Sequence, residues 1–513
     1  MTVVLACDLG GTSFRAVLVD QDGAALAESV VPGPVPVETL DRSEIDPAAW
    51  WSTFLAAATR LAEDRPDLFG KIRGIAICGV TRTQVYLGQD DRSLRPAMTW
   101  KDTRAEAAAA RLRERLGDHP EAPRVNAFHP LARLAWLGEE EPETARALAC
   151  VLEPKDYLNL RLTGRRAGDP VSMARLAACA QVVDGRDAFA RAGLGAALLP
   201  PQREPHEPVG IVLPGLPEPL DRIAGVPVVC CSNDTWAAAA GLGALRDGYA
   251  YNISGTTEVL GMVGSEPVEA DGLLTVDWGG VWQVGGPSQN GADTVSWLLS
   301  LLGRTGDPVG PATAALLDGD RDPQPLVFLP YLQGERVPYW NPALRGAFVG
   351  LNRRHGPADL AYAVLEGVAF ANRLVLERAE AALGRPAVEI RFGGGAAANP
   401  VWCRIKADVC GRPVVVGEAR EPGVLGAALV AWMGTGRFGS LAEAQERLVR
   451  PARRFEPDPA RRAAYDGLYT IFRRAEAALA PISADLAALA RGSGALPGMP
   501  APATSGPEAR AHA

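Results

Sequence analysis

An α/β protein of two similar domains with a cleft between them is the fold class this sequence predicts, and three observations predict it. The chain has 513 residues, too many for one core at the usual ~150 residues per domain. Near the N-terminus an apolar run, Val3-Val4-Leu5, meets a polar turn, Asp8-Leu9-Gly10-Gly11-Thr12-Ser13, and a second apolar run follows from Phe14 to Val19, which is the pattern of a β-hairpin. Half a chain later, from Asp247 to Gly264, the sequence DGYAYNISGTTEVLGMVG repeats it, with Ser254-Gly255-Thr256-Thr257 at the turn. A hairpin copied at that distance implies two domains built alike, each offering a turn that can hold a phosphate, with a nucleotide in the cleft.

Composition narrows the class. Hydrophobic residues make up 47% and charged residues 22%, as in ordinary globular proteins. The formal net charge of −8, with no Lys/Arg run longer than a pair, argues against nucleic acid as a partner. The 8 cysteines are scattered without a C-x-x-C spacing, so neither a zinc site nor a disulfide framework is indicated, and reduced thiols in the cytoplasm are the simplest account. No apolar stretch reaches about 18 residues and no basic leader opens the chain, so no membrane span is expected and the protein is placed in the cytoplasm.

In the opening hairpin, the two glycines permit a close backbone approach, and Thr12 and Ser13 offer hydroxyls and N–H groups to an anion. Asp8 stands beside them as an oxygen donor for magnesium. The plain alternative is a surface turn. Asp46-Pro47 reads as an N-cap followed by proline at N1, starting a helix whose apolar face holds Phe54, Leu55, Ala58 and Leu61. Ile72 to Cys78 is a short buried strand, broken after Gly79 by Val80-Thr81-Arg82-Thr83-Gln84. Contact of Thr81, Arg82 or Gln84 with substrate is one reason for such a polar kink, and a solvated turn is the other. Trp100-Lys101-Asp102 puts an aromatic plate beside charges at the mouth of a helix, suited to a hydroxyl-rich ligand or to an ion-paired cap. Residues 105 to 200 read mainly as helical scaffold, and Pro200 to Pro219 as an irregular connection.

Pro227 to Cys231 is a buried strand, and Ser232-Asn233-Asp234-Thr235 caps the small-residue helix that follows. Strand-to-helix junctions of this kind carry active groups in α/β folds, although Asp234 can equally serve as the cap. Asp359 to Ala382 is the strongest helix, with an apolar or small stripe that should pack on the second sheet. Val388 to Ala398 fits strand, glycine turn and helix and satisfies G-x-G-x-x-A, so an NAD-dependent oxidoreductase has to be weighed. The match lies too late in the chain to leave room for a dinucleotide fold, and the same turn can cover a nucleoside. No G-x-x-x-x-G-K-[ST] occurs, which sets a P-loop enzyme aside.

With these pieces in place the sequence resembles the FGGY carbohydrate kinases, of the sugar kinase and actin superfamily. Phe128-His129-Pro130-Leu131-Ala132-Arg133-Leu134-Ala135-Trp136-Leu137-Gly138-Glu139-Glu140 is similar to the family's first signature, departing at Arg133 where lysine is usual. Gly346-Ala347-Phe348-Val349-Gly350-Leu351 with Asp359-Leu360 and Glu366 matches the second, and Gly334-Glu335-Arg336-Val337-Pro338 is also similar to a family segment. The likeness runs to about residue 450.

The resemblance implies two actin-like (ribonuclease H-like) domains closing over ATP and a sugar or polyol, in a xylulokinase-like enzyme that phosphorylates a ketose or polyol, a pentulose such as xylulose first. It assigns residues 1–245 to the sugar-binding, catalytic half and 246–440 to the nucleotide-binding half, followed by a helical segment at 441–490 and a disordered tail at 491–513. Asp8 would hold Mg²⁺. Gly10, Gly11, Thr12, Ser13, Arg15, Gly255, Thr256 and Thr257 would cradle phosphates, and Gly394, Gly395 and Asn399 would cover the adenosine. Asp234 would be the base and touch substrate together with Thr81, Arg82, Trp100, Lys101 and Asp102. Xylulokinases commonly show Gln-Met-His after the glycine that aligns with Gly79, and here Val80-Thr81-Arg82 stands instead, a guanidinium in an imidazole's region. A catalytically inactive, sugar-sensing member of the same fold is a further alternative. A homodimer is an option that no residue argues for or against.

Overall fold

The computed structural model describes residues 2–492, so most of the expected tail, from 493 on, lies outside the described residues. The elements that position the site are strands β1 (Val3–Leu9), β2 (Ser13–Asp20), β3 (Ala25–Pro32), β4 (Ile72–Gly79), β5 (Pro208–Ile211), β6 (Pro227–Val229), β7 (Ala250–Ser254), β8 (Glu258–Gly264), β9 (Leu274–Asp277), β10 (Trp282–Pro287), β11 (Ile390–Gly393), β12 (Val414–Gly417) and β13 (Pro451–Phe455). The helices are α1 (Pro47–Asp64), α2 (Pro130–Glu140), α3 (Pro154–Thr163), α4 (Asp234–Gly241), α5 (Pro357–Leu383), α6 (Pro400–Cys410), α7 (Pro422–Gly434) and α8 (Pro459–Gly492).

The first sheet runs β5-β6-β4-β1-β2-β3 and the second β9-β10-β8-β7-β11-β12-β13. In each, a hairpin (β1/β2, β7/β8) adds an antiparallel strand on its far side, and the hairpin's first strand pairs parallel with a later one, β4 or β11, which pairs parallel with the next, β6 or β12. The two halves therefore share one topology, as the repeated hairpin predicts. Parallel strands are covered on both faces, and β1 is buried along its length accordingly: Val3, Leu5, Cys7 and Leu9 join the core under α1, while Val4 and Ala6 join a second core with α4 and α7.

The expected cap at Asp46 starts its helix, whereas the helix expected from Asp359 begins two residues earlier, at Pro357. The Asp46 carboxylate accepts the Ala48 N–H at 2.9 Å with Pro47 at N1, and α1 buries Trp50, Phe54, Ala57, Ala58 and Leu61. The Asp359 carboxylate accepts the Gly356 N–H at 2.8 Å, α5 ends at Gly384 with φ +67°, and Val364, Leu365 and Val368 enter the core of the second half. The segment 441–490 contains helices and also β13, an arginine-bearing strand on the edge of the second sheet.

The halves are joined by a third core rather than by a bare linker. Val4, Ala6, Ala76 and Cys78 from the first half, Tyr251 and Val263 from the second, and the small-residue helices α4 and α7 all contribute. The helices cross so closely that a Cβ at Gly241 would overlap the Pro422 carbonyl oxygen, and one at Gly426 the Ala237 carbonyl oxygen. All eight cysteines are buried and unpaired. Among the described residues no helix is long and apolar enough to cross a membrane.

Candidate active site

The C-terminal ends of β1, β4 and β6 lie side by side: Leu9 pairs with Gly79, and Gly79 bridges to Asn233. Three of the segments singled out in the sequence thus leave one sheet edge together, the Gly10–Ser13 turn, the Val80–Gln84 loop and the Ser232–Thr235 junction. In open α/β sheets that edge is where ligands bind. The Gly10 N–H donates to the Ser13 carbonyl at 3.0 Å, which closes the turn and leaves Gly11 and Thr12 exposed.

At the junction the helix cap is Asn233, whose side-chain oxygen accepts the Trp236 N–H at 2.9 Å. Asp234 is thereby released from capping. Its Oδ1 accepts the N–H of Thr235 at 2.6 Å and the Thr235 hydroxyl at 3.2 Å, and its Oδ2 has no protein partner among the described residues. Burial pushes its carboxyl above the usual range, against those two hydrogen bonds. Behind it, the Ser232 hydroxyl donates to Asp169 Oδ1 at 2.7 Å, and Asp169 pairs with buried Lys155 at 2.9 Å.

Asp8 lies near the end of β1. Its Oδ2 meets α7 so closely that a Cβ at Gly423 would sit 2.9 Å away, and its Oδ1 is buried without a hydrogen-bond partner. Burial, then the charges of Asp234 and Glu421, push its carboxyl up to about 7, opposed by the Cys78 thiol and Arg15. An orphaned carboxylate oxygen facing further carboxylates is a place where a cation fits. Among the described residues no three His, Cys, Asp or Glu side chains form a metal cage. One carboxylate with open positions suits magnesium, which shares its coordination with water and phosphates. Arg15, opposite Asp8 in the hairpin register, pairs with Glu28 and, at 3.0 Å, with Glu421.

The second half repeats the arrangement. Ile253 pairs with Gly393, so the Ser254–Thr257 turn and the Gly393–Ala398 turn leave one edge together. Gly255 and Thr256 are exposed. Gly394 has φ +88° and its backbone lies against Ser254, where a Cβ would strike the carbonyl, while Gly395 has open space around it. Asn399 caps α6, accepting the N–H groups of Val401 and Trp402 at 2.9 and 3.2 Å. Beneath the turn, buried Lys406 binds Glu258 at 3.0 Å and Asn252 at 2.8 Å.

The Val80–Gln84 loop is fixed by two residues whose role the sequence does not announce. Glu153, at the start of α3, accepts the N–H of Arg82 at 3.1 Å and of Thr83 at 3.2 Å, and the Thr81 hydroxyl at 3.4 Å. No local signal marks it, since its partners lie some seventy positions away. Arg133 of α2, which in the sequence is only a departure from a signature lysine, is fully buried and donates to the carbonyls of Arg82 at 2.8 Å and Thr99 at 2.7 Å. Its planar fork serves carbonyls on two loops at once, which a lysine ammonium does less well. The polar kink is therefore built, and Arg82 is held at φ +58°.

Trp100 is half exposed and Lys101 pairs with Glu38 at 3.1 Å. Asp102 has no exposed surface, and its oxygens are committed to Arg104 and to the Ser43 N–H. Its geometry is that of a buried ion pair with Arg104 that also holds the Ser43 backbone.

Burial pushes the Glu153 carboxyl from an ordinary 4.5 up to about 8, against its backbone hydrogen bonds. The folded protein then binds more protons at this site than the unfolded chain between those values. The resulting stabilisation is complete below pH 4.5 and is lost as the pH rises to 8, at up to about 1.4 kcal/mol per pH unit. Urea midpoints at pH 5, 6, 7 and 8 are expected to fall less steeply in Glu153→Gln than in the unmodified protein, and parallel slopes would contradict the assignment.

Comparison with known proteins gives a match of residues 3–241 to the N-terminal domain, and of residues 250–435 to the C-terminal domain, of the family model described as the FGGY family of carbohydrate kinases. The xylulose kinase of Escherichia coli (strain K12) is 31% identical over 497 residues, covering 94% of this chain and 100% of that kinase. The gluconokinase of Bacillus subtilis (strain 168) is 25% identical over 463 residues, covering 85% and 88%. The crystal structure of a xyloylose kinase from Brucella ovis superposes with a TM-score of 0.83 at 27% identity, over 94% of this chain and 100% of that one.

Proposed function

Because the chain belongs to the FGGY family of carbohydrate kinases, we propose that it transfers the γ-phosphoryl group of ATP to a hydroxyl of a ketose or polyol, a pentulose such as xylulose being the first to assay. The observation that carries this reading is Asp234, an acid spared from capping, with one oxygen open beside Asp8 at the shared strand edge. In this reading residues 1–245 bind the acceptor and residues 246–440 the nucleotide.

Asp234 takes the proton of the acceptor hydroxyl as that oxygen bonds to the γ-phosphorus. The bond to the β-phosphate oxygen breaks, and ADP leaves. The raised affinity of Asp234 for a proton suits a base that must accept one near neutral pH. The N–H groups and hydroxyls of Gly10 to Ser13 and Gly255 to Thr257 orient the phosphates, and Gly394, Gly395 and the Asn399 segment lie against the nucleoside. Asp8 would hold Mg²⁺ through its unpartnered Oδ1, and the ion, when bound, would neutralise charge on the phosphoryl oxygens. Thr81, Arg82, Trp100 and Lys101 face the acceptor.

The test is an ADP-release assay with ATP over pentuloses, hexuloses, pentitols and glycerol, run beside an NAD-reduction assay on the same compounds. Acceptor-dependent ADP release with no NAD reduction is expected. NAD reduction without ADP release would establish the oxidoreductase alternative, and sugar binding without either would establish an inactive sensor.

A further inference from the structure

The neighbourhood of Arg82 carries more positive charge than a neutral sugar needs. Its backbone is clamped from both sides, by Glu153 on its N–H and by Arg133 on its carbonyl, in a left-handed conformation that non-glycine residues adopt at a cost of roughly 1 kcal/mol or more. Two buried side chains hold this one residue in a strained pose. The guanidinium so presented makes no hydrogen bond or ion pair to any described residue, and the residue is exposed.

The anions nearby are already engaged. Glu153 spends its oxygens on backbone N–H groups and is itself drawn toward the neutral form. Glu121 neutralises Arg175 at 3.2 Å and also holds His129. From the second half comes Arg336, whose Nη2 binds the Ser288 carbonyl at 2.6 Å while its Nε is buried without a partner. Its neighbour Glu335 is consumed by Ser288, the Gln289 N–H and the Arg336 N–H. Arg336 feels the repulsion of Arg82 directly. Two guanidiniums from opposite halves, neither in an ion pair with a carboxylate among the described residues, thus lie close enough to repel one another. Such a pair is stabilised by an anionic oxygen pair placed between them, the ligand geometry that arginine matches best.

We propose that the acceptor of this kinase is a polyhydroxy acid, a five- or six-carbon sugar acid whose carboxylate lies against Arg82 and Arg336, and that neutral ketoses are its weaker substrates. This rests on the phosphoryl-transfer reading above and changes only the acceptor. An anionic oxygen could also come from the nucleotide. The acceptor is favoured because the Arg82 loop leaves the same strand edge as Asp234, through the Gly79 to Asn233 bridge.

The experiment measures kcat and KM by ADP release for D-gluconate, D-xylonate and D-ribonate against D-xylulose, D-ribulose and xylitol, in the unmodified protein, Arg82→Gln and Arg336→Gln. One of the acids is expected to show at least about a tenfold higher kcat/KM than any neutral compound, the discrimination expected when a site's charged groups are left unpaired by the wrong substrate. Arg82→Gln is expected to raise KM for the acid by about 10- to 100-fold, with a change at least tenfold smaller for the neutral acceptors and for ATP. Calorimetric titration of D-gluconate without nucleotide should show the same loss of binding in a variant whose melting temperature matches the unmodified protein. A neutral pentulose preferred over all three acids overturns the proposal and leaves the kinase reading intact. An Arg82→Gln variant with KM for ATP raised equally for every acceptor also overturns it, by assigning the guanidinium to the phosphates. No ADP release with any compound overturns both readings.

Discussion

Asp234→Asn is expected to lower turnover on the preferred acceptor by about 10²- to 10⁴-fold, the usual worth of a positioned general base, while ATP binding is retained. The substitution isolates the chemistry because the local fold does not depend on the charge. The helix is capped by Asn233, and an amide oxygen at position 234 still accepts the Thr235 N–H and hydroxyl. What disappears is the capacity to take a proton at Oδ2. Single-turnover ADP release and an equilibrium titration with ATP separate the two effects. Undiminished turnover in the variant would remove Asp234 from the reaction.

The second large effect is expected at the crossing of α4 and α7. Gly426→Ala drives a methyl group into the Ala237 carbonyl oxygen, and backbone cannot swing aside as a long side chain can. Overpacking of this kind costs about 1–3 kcal/mol, occasionally more. At roughly 2–4 °C per kcal/mol for a domain of this size, the melting temperature should fall by about 2–12 °C. Turnover should fall with it, because the N-terminal turn of the same helix abuts Asp8 at Gly423. Gly70→Ala is the matched control: its glycine has φ −69°, and no atom lies within 4 Å of the place a methyl would take, so the melting temperature should stay close to that of the unmodified protein. Equal melting of Gly426→Ala and Gly70→Ala would show that the crossing relaxes freely.

What is legible in the sequence follows from where the information sits. Both hairpins are readable because two apolar runs flanking a glycine turn are local signals, and their duplication reveals the shared sheet topology. Asp234 stands out, but the choice between cap and base is not decidable from the chain alone, since Asn233 and Asp234 are adjacent residues of equal capping strength and only the helix register separates them. Asp102 reads as one charge in a ligand-facing cluster, whereas Arg104, two positions on, draws it into a buried ion pair. That is the ion-paired alternative the same residues allow.

Other features are silent for physical reasons. Helix α7 is buried almost all round, so it lacks the one-sided periodicity that marks a surface helix. Strand β13, Pro-Ala-Arg-Arg-Phe, hides its strand character behind the charges an exposed edge carries. Glu153 and Arg133 act on partners dozens of residues away, and no window along the chain contains both ends of those contacts.

The glycine crossing also has a mechanical meaning. Two helices in backbone contact form a bearing with very little play along their line of centres, so one half can turn on the other about that contact but can scarcely slide. Asp8, touching the bearing through Gly423, lies close to the pivot and is displaced little by such a turn.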